Sequence, residues 1–199
     1  MVELSQDFLE KLRVLNITET PRVLVVSITD QKLTLFENRR ARAEWPISTA
    51  RNGTGQKLDS YQTPLGLHRI KEKIGKEAPQ GAVFDSREFK GQIWSPSSNS
   101  TSSANQFAGD DDSKEKTSSL SDLVTSRVLW LEGLEPGYNA GSDSEGNLVD
   151  SYQRYIYIHG TNHEDEIGKP TSRGCIRMKN SEVINLFDLV QEGDLVWIQ

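Results

Sequence analysis

The only cysteine of the chain, Cys175, lies sixteen positions after His159, which follows the apolar run YIYI. A thiol attacks a carbonyl carbon only as the thiolate, and a free cysteine with a pKa of about 8.5 is mostly protonated at neutral pH. A nucleophilic cysteine therefore needs a base nearby, and an imidazole is suited to that role. The two residues could form such a pair if the loop between them brings Cys175 and His159 together.

The residues around Cys175 are polar and cationic, since Ser172, Arg173 and Arg177 flank it. Gly174 would give a tight backbone that a substrate can approach, and the amides of Gly174 and Cys175 could face a developing oxyanion. A lone cysteine is most commonly a small buried hydrophobic residue instead. From residue types alone, the catalytic and the structural interpretation therefore both stay open.

A second histidine and three acids follow His159, in the run HGTNHEDE. On a helix, His159 and His163 would share a face and could bind a metal ion. The intervening residues 160–162 form a poor helix and follow a strand, so we predict neither a metal site nor another cofactor. We interpret His163 and the acids 164–166 as an exposed lid, and His68 as a structural residue.

Most of the elements that must hold the thiol and the imidazole are predicted to be strands. Residues 5–15 have apolar positions at helical spacing after a capping serine, and a second helix begins at Asn180 or Ser181. Runs of β-branched and aromatic residues predict strands at 22–28, 32–37, 40–49, 67–75, 91–96, 126–134, 153–160 and 194–199, with a loop at 51–66. This order indicates a mostly β fold.

Residues 95–122 are rich in serine and acids and almost lack bulky apolar side chains. Such a segment cannot bury enough surface to offset the entropy that it loses on ordering, so we expect a flexible insertion. The pieces on either side have too few strands to form separate cores. We therefore expect a helical extension over 1–20 and one domain over 21–199 that carries the insertion.

The net charge of −6 and the lack of a basic cluster argue against nucleic acid as a partner. No apolar run reaches the roughly 18 residues that span a membrane, so we expect no membrane partner. The start, MVELSQDFLEKLRVL, lacks the features of a signal peptide. We expect a cytoplasmic protein as given, or a periplasmic or cell-wall protein if an export segment was removed.

The motif IHGT followed by TSRGCIRM closely resembles the L,D-transpeptidase catalytic domain, also called the YkuD domain. That family carries an HG[TS] segment and then [ST]-x-G-C-[IV]-[RN] at similar spacing. The runs PISTARN and QTPLGLHRI and the closing helix and strand resemble the family more loosely, so the resemblance covers residues 22–96 and 125–199. It implies β-sandwich or barrel-like sheets with one C-terminal helix and a short N-terminal helix.

The resemblance also implies roles for the motif residues. Cys175 would be the nucleophile and His159 its base, oriented by a backbone carbonyl such as that of Gly160. Arg177 would bind the substrate's carboxylate or shape the oxyanion site, and Ser172 would support the loop.

Gly174 and Thr161 complete the substrate-binding or oxyanion set that the motif implies. Many members carry a histidine where this chain has Arg173. An arginine cannot act as a base, although its charge would favour the thiolate, so the proton acceptor would be His159 alone.

For activity, the resemblance implies attack on the third-residue carbonyl of a peptidoglycan stem tetrapeptide, with release of the terminal D-Ala. An amine acceptor gives a 3→3 cross-link or a D-amino-acid exchange, whereas water gives an L,D-carboxypeptidase that acts on recycled muropeptides in the cytoplasm. A carbapenem is expected to acylate Cys175. The alternatives are a muropeptide-binding module without catalysis and a general cysteine protease, for which the sequence offers no Asn or Asp partner to the imidazole.

Overall fold

Strands make up most of the chain that the computed structural model describes, residues 4–96 and 122–199. Helix α1 covers Gln6–Leu15 and helix α2 covers Asn180–Leu189. The strands are β1 (Arg22–Ser27), β2 (Lys32–Glu37), β3 (Arg40–Pro46), β4 (Gly66–Ile74), β5 (Ala82–Asp85), β6 (Glu88–Ile93), β7 (Val124–Gly133), β8 (Tyr157–Gly160), β9 (Ile176–Met178) and β10 (Leu195–Ile198). This confirms the mostly β class with one short N-terminal and one C-terminal helix.

The ten strands of the described residues belong to one mixed sheet. Its main path runs β3-β2-β1-β10-β4-β7-β5-β6, while β8 pairs with β7 on one side and with β9 on the other. Strand β1 is parallel to β10 and β8 is parallel to β9, whereas the pairs along β7 are antiparallel. Because β7 pairs with both β4 and β8, it ties the β8–β9 pair to the main sheet.

The largest apolar cluster lies between this sheet and helix α2. Val183, Leu186 and Phe187 recur at helical spacing and pack into one cluster with Leu129 of β7 and Ile158 of β8. Burying such side chains contributes about 25 cal/mol per Å² of apolar surface, so this contact adds to the pairing with β7 and β9 in holding β8. The position of β8 therefore follows from apolar residues on three different elements.

Helix α1 packs on a second apolar cluster that includes the last strand. Ser5 caps the helix, because its hydroxyl accepts a hydrogen bond from the Phe8 amide at 3.3 Å. The Phe8 ring meets the Trp197 ring edge-on, with 6.1 Å between the ring centroids. Lys11 forms an ion pair with Glu135 at 2.6 Å. The predicted N-terminal helix is present and is attached to strand β10.

Parts of the strand prediction are wrong. The strand predicted over 153–160 begins only at Tyr157, because residues 151–155 form turns and Tyr155 has a left-handed backbone with φ of 57°. The third strand ends at Pro46 and not at residue 49, because the chain then leaves β2 and Ser48 pairs with Arg177 instead. The strand predicted over 91–96 covers Glu88–Ile93 instead and pairs with β5. The prediction contains neither β5 nor β9, which are short and pair with distant segments.

The core of the serine-rich segment, 97–121, lies outside the described residues, so its expected flexibility stays a prediction. The expected domain limit between residues 20 and 21 also stays a prediction. Within the described part of the chain, neither helix is long and apolar enough to cross a membrane.

Candidate active site

The parallel pair of β8 and β9 places the candidate catalytic residues. Ile158 pairs with Ile176 and His159 pairs with Arg177, and paired residues in a sheet project to the same face. Ile158 and Ile176 are buried in the apolar core, so His159 and Arg177 project to the opposite face. Cys175 comes directly before β9, two positions before Arg177, and therefore lies on the His159 side, one diagonal step across the strand pair.

The Cys175 thiol is partly exposed and lies between two backbone groups of the preceding segment. Its S–H donates to the Tyr155 carbonyl at 3.3 Å, and the Tyr157 amide donates to Sγ at 3.4 Å. Burial raises the pKa of Cys175 to about 11, although the Tyr157 amide and the charges of Arg177 and Arg154 act in the opposite direction. At neutral pH Cys175 is therefore a thiol, and it would need a base to act as a nucleophile.

His159 is suited to be that base. Its Nδ1–H donates to the Gly160 carbonyl at 2.7 Å, and because a carbonyl only accepts, this contact leaves Nε2 as the unprotonated nitrogen. Burial lowers the pKa of His159, so the imidazole is neutral at neutral pH. No direct hydrogen bond joins Sγ to the imidazole among the described residues, so a proton transfer between them would require the thiol to turn from Tyr155 toward His159.

The backbone at Gly160 has no room for a side chain. A Cβ there would lie 2.6 Å from the Thr125 carbonyl oxygen and 2.7 Å from Asn180 Oδ1. Asn180 itself accepts hydrogen bonds from the Thr125 and Ser126 hydroxyls and donates to the Thr161 carbonyl at 2.9 Å. This buried network holds the turn that follows His159, and a glycine allows the close approach.

Arg177 is buried and already has acidic partners. Its guanidinium forms ion pairs with Asp122 and with Glu166, the latter at 3.2 Å. Its expected role in binding a substrate carboxylate stays a prediction, and it would require the substrate to displace one of these acids. Asp122 also acts on the thiol, since its negative charge adds to the raised pKa of Cys175.

The other motif residues mostly shape the loop that carries Cys175. The Ser172 hydroxyl donates to the Cys175 carbonyl at 2.6 Å and accepts from the Gly174 amide at 3.2 Å. Gly174 has φ of 129°, which a residue with a side chain rarely adopts. Thr161 is buried, and its hydroxyl accepts a hydrogen bond from the backbone amide two residues further on. Arg173 is exposed. The Gly174 amide is thus engaged, and its expected oxyanion role stays a prediction.

A cavity of about 670 Å³ opens beside the Cys175 loop. Arginines, acids and neutral polar groups share its wall, so a ligand with both signs of charge would fit its chemistry. It is lined by Arg51, Asn52, Tyr61, Asp122, His163, Glu166, Thr171, Ser172, Arg173 and Arg177.

The expectation of an exposed lid is wrong for His163, Glu164 and Glu166, which are half-buried, whereas Asp165 is exposed. Glu164 accepts hydrogen bonds from the amide and the side chain of Asn180, at 2.7 and 2.8 Å, and thereby caps helix α2. Glu166 pairs with Arg177. Glu164 and Glu166 therefore face the protein, where one carboxylate lies at the start of α2 and the other pairs with the Arg177 guanidinium. In residues 4–96 and 122–199, no group of three or more His, Cys, Asp or Glu is placed to hold a metal ion.

The predicted set of site residues did not include the residues behind the thiol. Backbone groups of Tyr157 and Tyr155 contact Sγ. The rings of both residues pack against the Trp130 ring, with centroids 5.5 Å away for Tyr157 and 5.7 Å away for Tyr155. Arg154 donates to the Gln62 carbonyl at 2.8 Å, and its charge favours the thiolate of Cys175. The alternation of Tyr and Ile in RYIYIHG was a usable signal for the tyrosines. Nothing in the local sequence indicated Arg154.

The chain belongs to the L,D-transpeptidase catalytic domain family, YkuD, whose family model matches residues 21–198. The motif that carries the resemblance is therefore part of a match along nearly the whole chain.

Two curated relatives illustrate the similarity in sequence. The protein ErfK/SrfK of Salmonella typhimurium strain LT2, named a probable L,D-transpeptidase, is 30% identical over 148 residues, which are 69% of this chain and 40% of that protein. YqjB of Bacillus subtilis strain 168, provisionally named an L,D-transpeptidase, is 54% identical over 69 residues, which are 34% of this chain and 39% of that protein. The chain spans less than half of the length of these relatives.

Solved structures with a related fold are more distant in sequence. The L,D-transpeptidase from Mycobacterium smegmatis has a TM-score of 0.49 at 16% identity, covering 92% of this chain and 60% of that chain. L,D-transpeptidase 3 from Mycobacterium tuberculosis, in complex with a faropenem-derived adduct, has a TM-score of 0.48 at 17% identity. The match covers 90% of this chain and 60% of that chain. Both similarities are too low to say anything of this chain's activity.

Proposed function

We propose that this protein is a cysteine acyltransferase that acts on peptidoglycan stem tetrapeptides. The observation that carries the proposal is the placement of Cys175 and His159 on one face of the β8–β9 pair, with a neutral imidazole whose Nδ1–H is held by Gly160. Membership of the L,D-transpeptidase family supports the substrate class.

The acylation step uses both residues. His159 Nε2 takes the thiol proton as Sγ attacks the carbonyl carbon of the third residue of the stem peptide. The C–N bond to the terminal D-Ala then breaks, and the imidazolium gives its proton to the leaving amine. The products are a thioester on Cys175 and free D-Ala. Because burial raises the pKa of Cys175, attack and proton transfer must occur together.

The second step depends on the acceptor. An acceptor amine or water attacks the thioester while His159 takes one of its protons and passes it to Sγ, which restores the thiol. We propose an amine, which gives a 3→3 cross-link or a D-amino-acid exchange, because the curated relatives carry L,D-transpeptidase names. This acceptor places the reaction outside the cytoplasm, whereas water would make the protein a cytoplasmic L,D-carboxypeptidase.

Product masses test the reaction and the acceptor together. The purified protein is incubated with a disaccharide-tetrapeptide, with and without a free D-amino acid, and the products are identified by mass spectrometry. Exchange products or dimers support the amine as acceptor. Tripeptide whose amount does not change when the D-amino acid is added supports water as the acceptor. A lack of D-Ala release from the wild-type protein, or equal release from a Cys175→Ala variant, would overturn the proposal.

The same chemistry predicts a covalent adduct with a carbapenem. Sγ would attack the β-lactam carbonyl, the ring C–N bond would open, and the ring nitrogen would take the proton that His159 removed from the thiol. Since the whole inhibitor is retained, the mass of the protein would rise by the mass of the carbapenem.

A further inference from the structure

The hairpin of β5 and β6 turns through two residues with left-handed backbones. Ser86 has φ of 49° and Arg87 has φ of 72°, between the paired residues Asp85 and Glu88. Such tight turns favour Asn and Gly, because a side chain strains this conformation. An arginine at a strained turn position invites a search for a role outside the turn itself.

The Arg87 side chain reaches away from its hairpin to the tyrosines beside the thiol. Its guanidinium lies over the ring of Trp130, 4.8 Å from the ring centroid, and 5.4 Å from the centroid of Tyr155. Hydrogen bonding to the side chains of Tyr157 and Tyr155 raises the pKa of Arg87. None of the ion pairs among residues 4–96 and 122–199 includes Arg87. Its contacts within the described residues are therefore with the ring faces of Trp130 and Tyr155.

A second hairpin of the same chain also has an arginine as the second residue of its turn, and that arginine serves as a comparison for Arg87. Asn38 and Arg39 connect β2 to β3 and also have left-handed backbones, with φ of 48° and 63°. Arg39 forms an ion pair with Glu19. The two arginines occupy the same place in the same kind of turn, yet only Arg39 has a carboxylate partner.

The position of Arg87 relative to Cys175 follows from the two tyrosines that it contacts. The Tyr155 carbonyl lies 3.3 Å and the Tyr157 amide 3.4 Å from Sγ. The two arginines whose charges lower the pKa of the thiol are occupied: Arg177 pairs with two acids, and Arg154 donates to backbone carbonyls. Arg87 thus lies on Trp130, which belongs to the apolar cluster that Cys175 packs against, and among the described residues it has no carboxylate partner.

We propose that Arg87 binds the C-terminal carboxylate of the donor peptide and makes the enzyme selective for donors that end in a free carboxylate. The proposal rests on the acyl transfer proposed above. In an attack geometry the scissile carbonyl carbon lies about 3–3.5 Å from Sγ. The leaving residue adds a single Cα–Cα step of about 3.8 Å, so its carboxylate stays close to the segment around Tyr155, whose carbonyl contacts Sγ and whose ring contacts Arg87.

The guanidinium is suited to this role. An arginine can bind a carboxylate with two parallel hydrogen bonds, which are stronger than bonds to neutral hydroxyls. Its stacking on Trp130 and Tyr155 can persist while its N–H groups turn to the substrate, because the ring contacts use the face of the guanidinium and the hydrogen bonds use its edge.

The test compares two donors, a tetrapeptide with a free C-terminal carboxylate and the same peptide as its C-terminal amide. Release of the terminal residue is followed by mass spectrometry, and kcat/KM is measured for each donor. The wild-type protein should prefer the free acid about tenfold or more, since the amide lacks the charge. Arg87→Gln should raise KM for the acid and remove most of this preference, and Arg87→Lys should keep part of it.

Arg39→Gln is the matched control, because it removes an arginine from the same position of an equivalent turn, and it should keep the wild-type preference. Thermal unfolding of each variant checks that the hairpin substitutions leave the fold intact. The proposal is overturned if Arg87→Gln keeps the preference, or if the wild-type protein releases both donors equally. If the wild-type protein releases neither, the acyl transfer itself fails, which is a distinct result.

Discussion

At the scale of single residues, the candidate site consists of a thiol and an imidazole that are both neutral at neutral pH. Burial raises the pKa of Cys175 to about 11 and lowers the pKa of His159. The sequence leads one to expect a cationic environment that favours the thiolate, and Arg173 was the nearest candidate for it. The structure leaves Arg173 exposed and puts Arg154 and Arg177 near the thiol instead.

The raised pKa predicts how Cys175 reacts with iodoacetamide. Only the thiolate is alkylated, and at pH 7 a thiol with a pKa of about 11 supplies less of it than an ordinary cysteine does. The rate of alkylation should therefore be lower than that of free cysteine at pH 7 and should keep rising past pH 9. Mass spectrometry over a pH series measures it. A rate that already levels off below pH 8 would contradict the raised pKa.

Arg173→His should be tolerated. The Arg173 side chain is exposed and forms no ion pair with the described residues, so its replacement leaves the bonds around Cys175 intact. We expect kcat/KM for D-Ala release within about twofold of wild type, since surface substitutions of this kind usually change little. A tenfold loss would assign Arg173 a role in binding the substrate.

At the scale of elements, the site depends on the β7–β8–β9 arrangement, which was only partly predictable. The strong apolar alternation of YIYIH marks β8, and the motif marks both candidate catalytic residues. Strand β9 has three residues and exists because Ile158 and Ile176 pair and pack into the core. A pairing between segments so far apart, like the turn at Tyr155, is set by tertiary contacts that a local pattern does not contain.

The tight contact behind Gly160 makes this position a test of how β8 is held. Gly160→Ala would press a methyl group against the Thr125 carbonyl and Asn180. We expect a loss of about 1–3 kcal/mol in the free energy of unfolding, measured by urea denaturation. Because the strand would shift with His159 on it, turnover should fall about a hundredfold.

Gly146→Ala is the control, because in this exposed turn a Cβ meets no neighbour within 4 Å. Its φ of 83° still strains the alanine, so the variant loses stability at a position that does not hold β8. It should keep wild-type turnover. Full turnover in Gly160→Ala would show that the position of β8 does not limit the reaction.

At the scale of the whole molecule, the protonation of His68 makes the free energy of unfolding depend on pH. It is fully buried in β4, where Nδ1–H donates to the Gly66 carbonyl and Nε2 accepts from the Ser151 hydroxyl at 2.9 Å. Burial lowers the pKa of His68 to about 4. The structural role expected from the sequence fits this environment, although the depth of burial could not be read from one histidine in a strand.

Protonation of His68 favours the unfolded chain over the folded protein. Below about pH 6.5 the unfolded chain protonates His68, whereas the folded protein does so only near pH 4. The free energy of unfolding should therefore fall as the pH drops from 6.5 to 4, by about 3 kcal/mol from His68 alone. His159 adds a loss of the same sign, because its pKa is also lowered.

Urea denaturation at pH 7 and pH 4.5 measures this loss, and His68→Gln should reduce it. The glutamine can still accept a hydrogen bond from Ser151, but it has no proton to take up. An equal loss in the variant and in the wild-type protein would assign the pH dependence to other groups.

The central claim is that Cys175 forms an acyl-enzyme, and the intact mass of the protein tests it most directly. The wild-type protein and the Cys175→Ala and His159→Gln variants are mixed with imipenem, and the modified residue is located by peptide mapping. We predict that the wild-type protein gains one imipenem mass on Cys175, that Cys175→Ala gains none, and that His159→Gln is acylated far more slowly. An unmodified wild-type protein, or an adduct on another residue, would contradict the account.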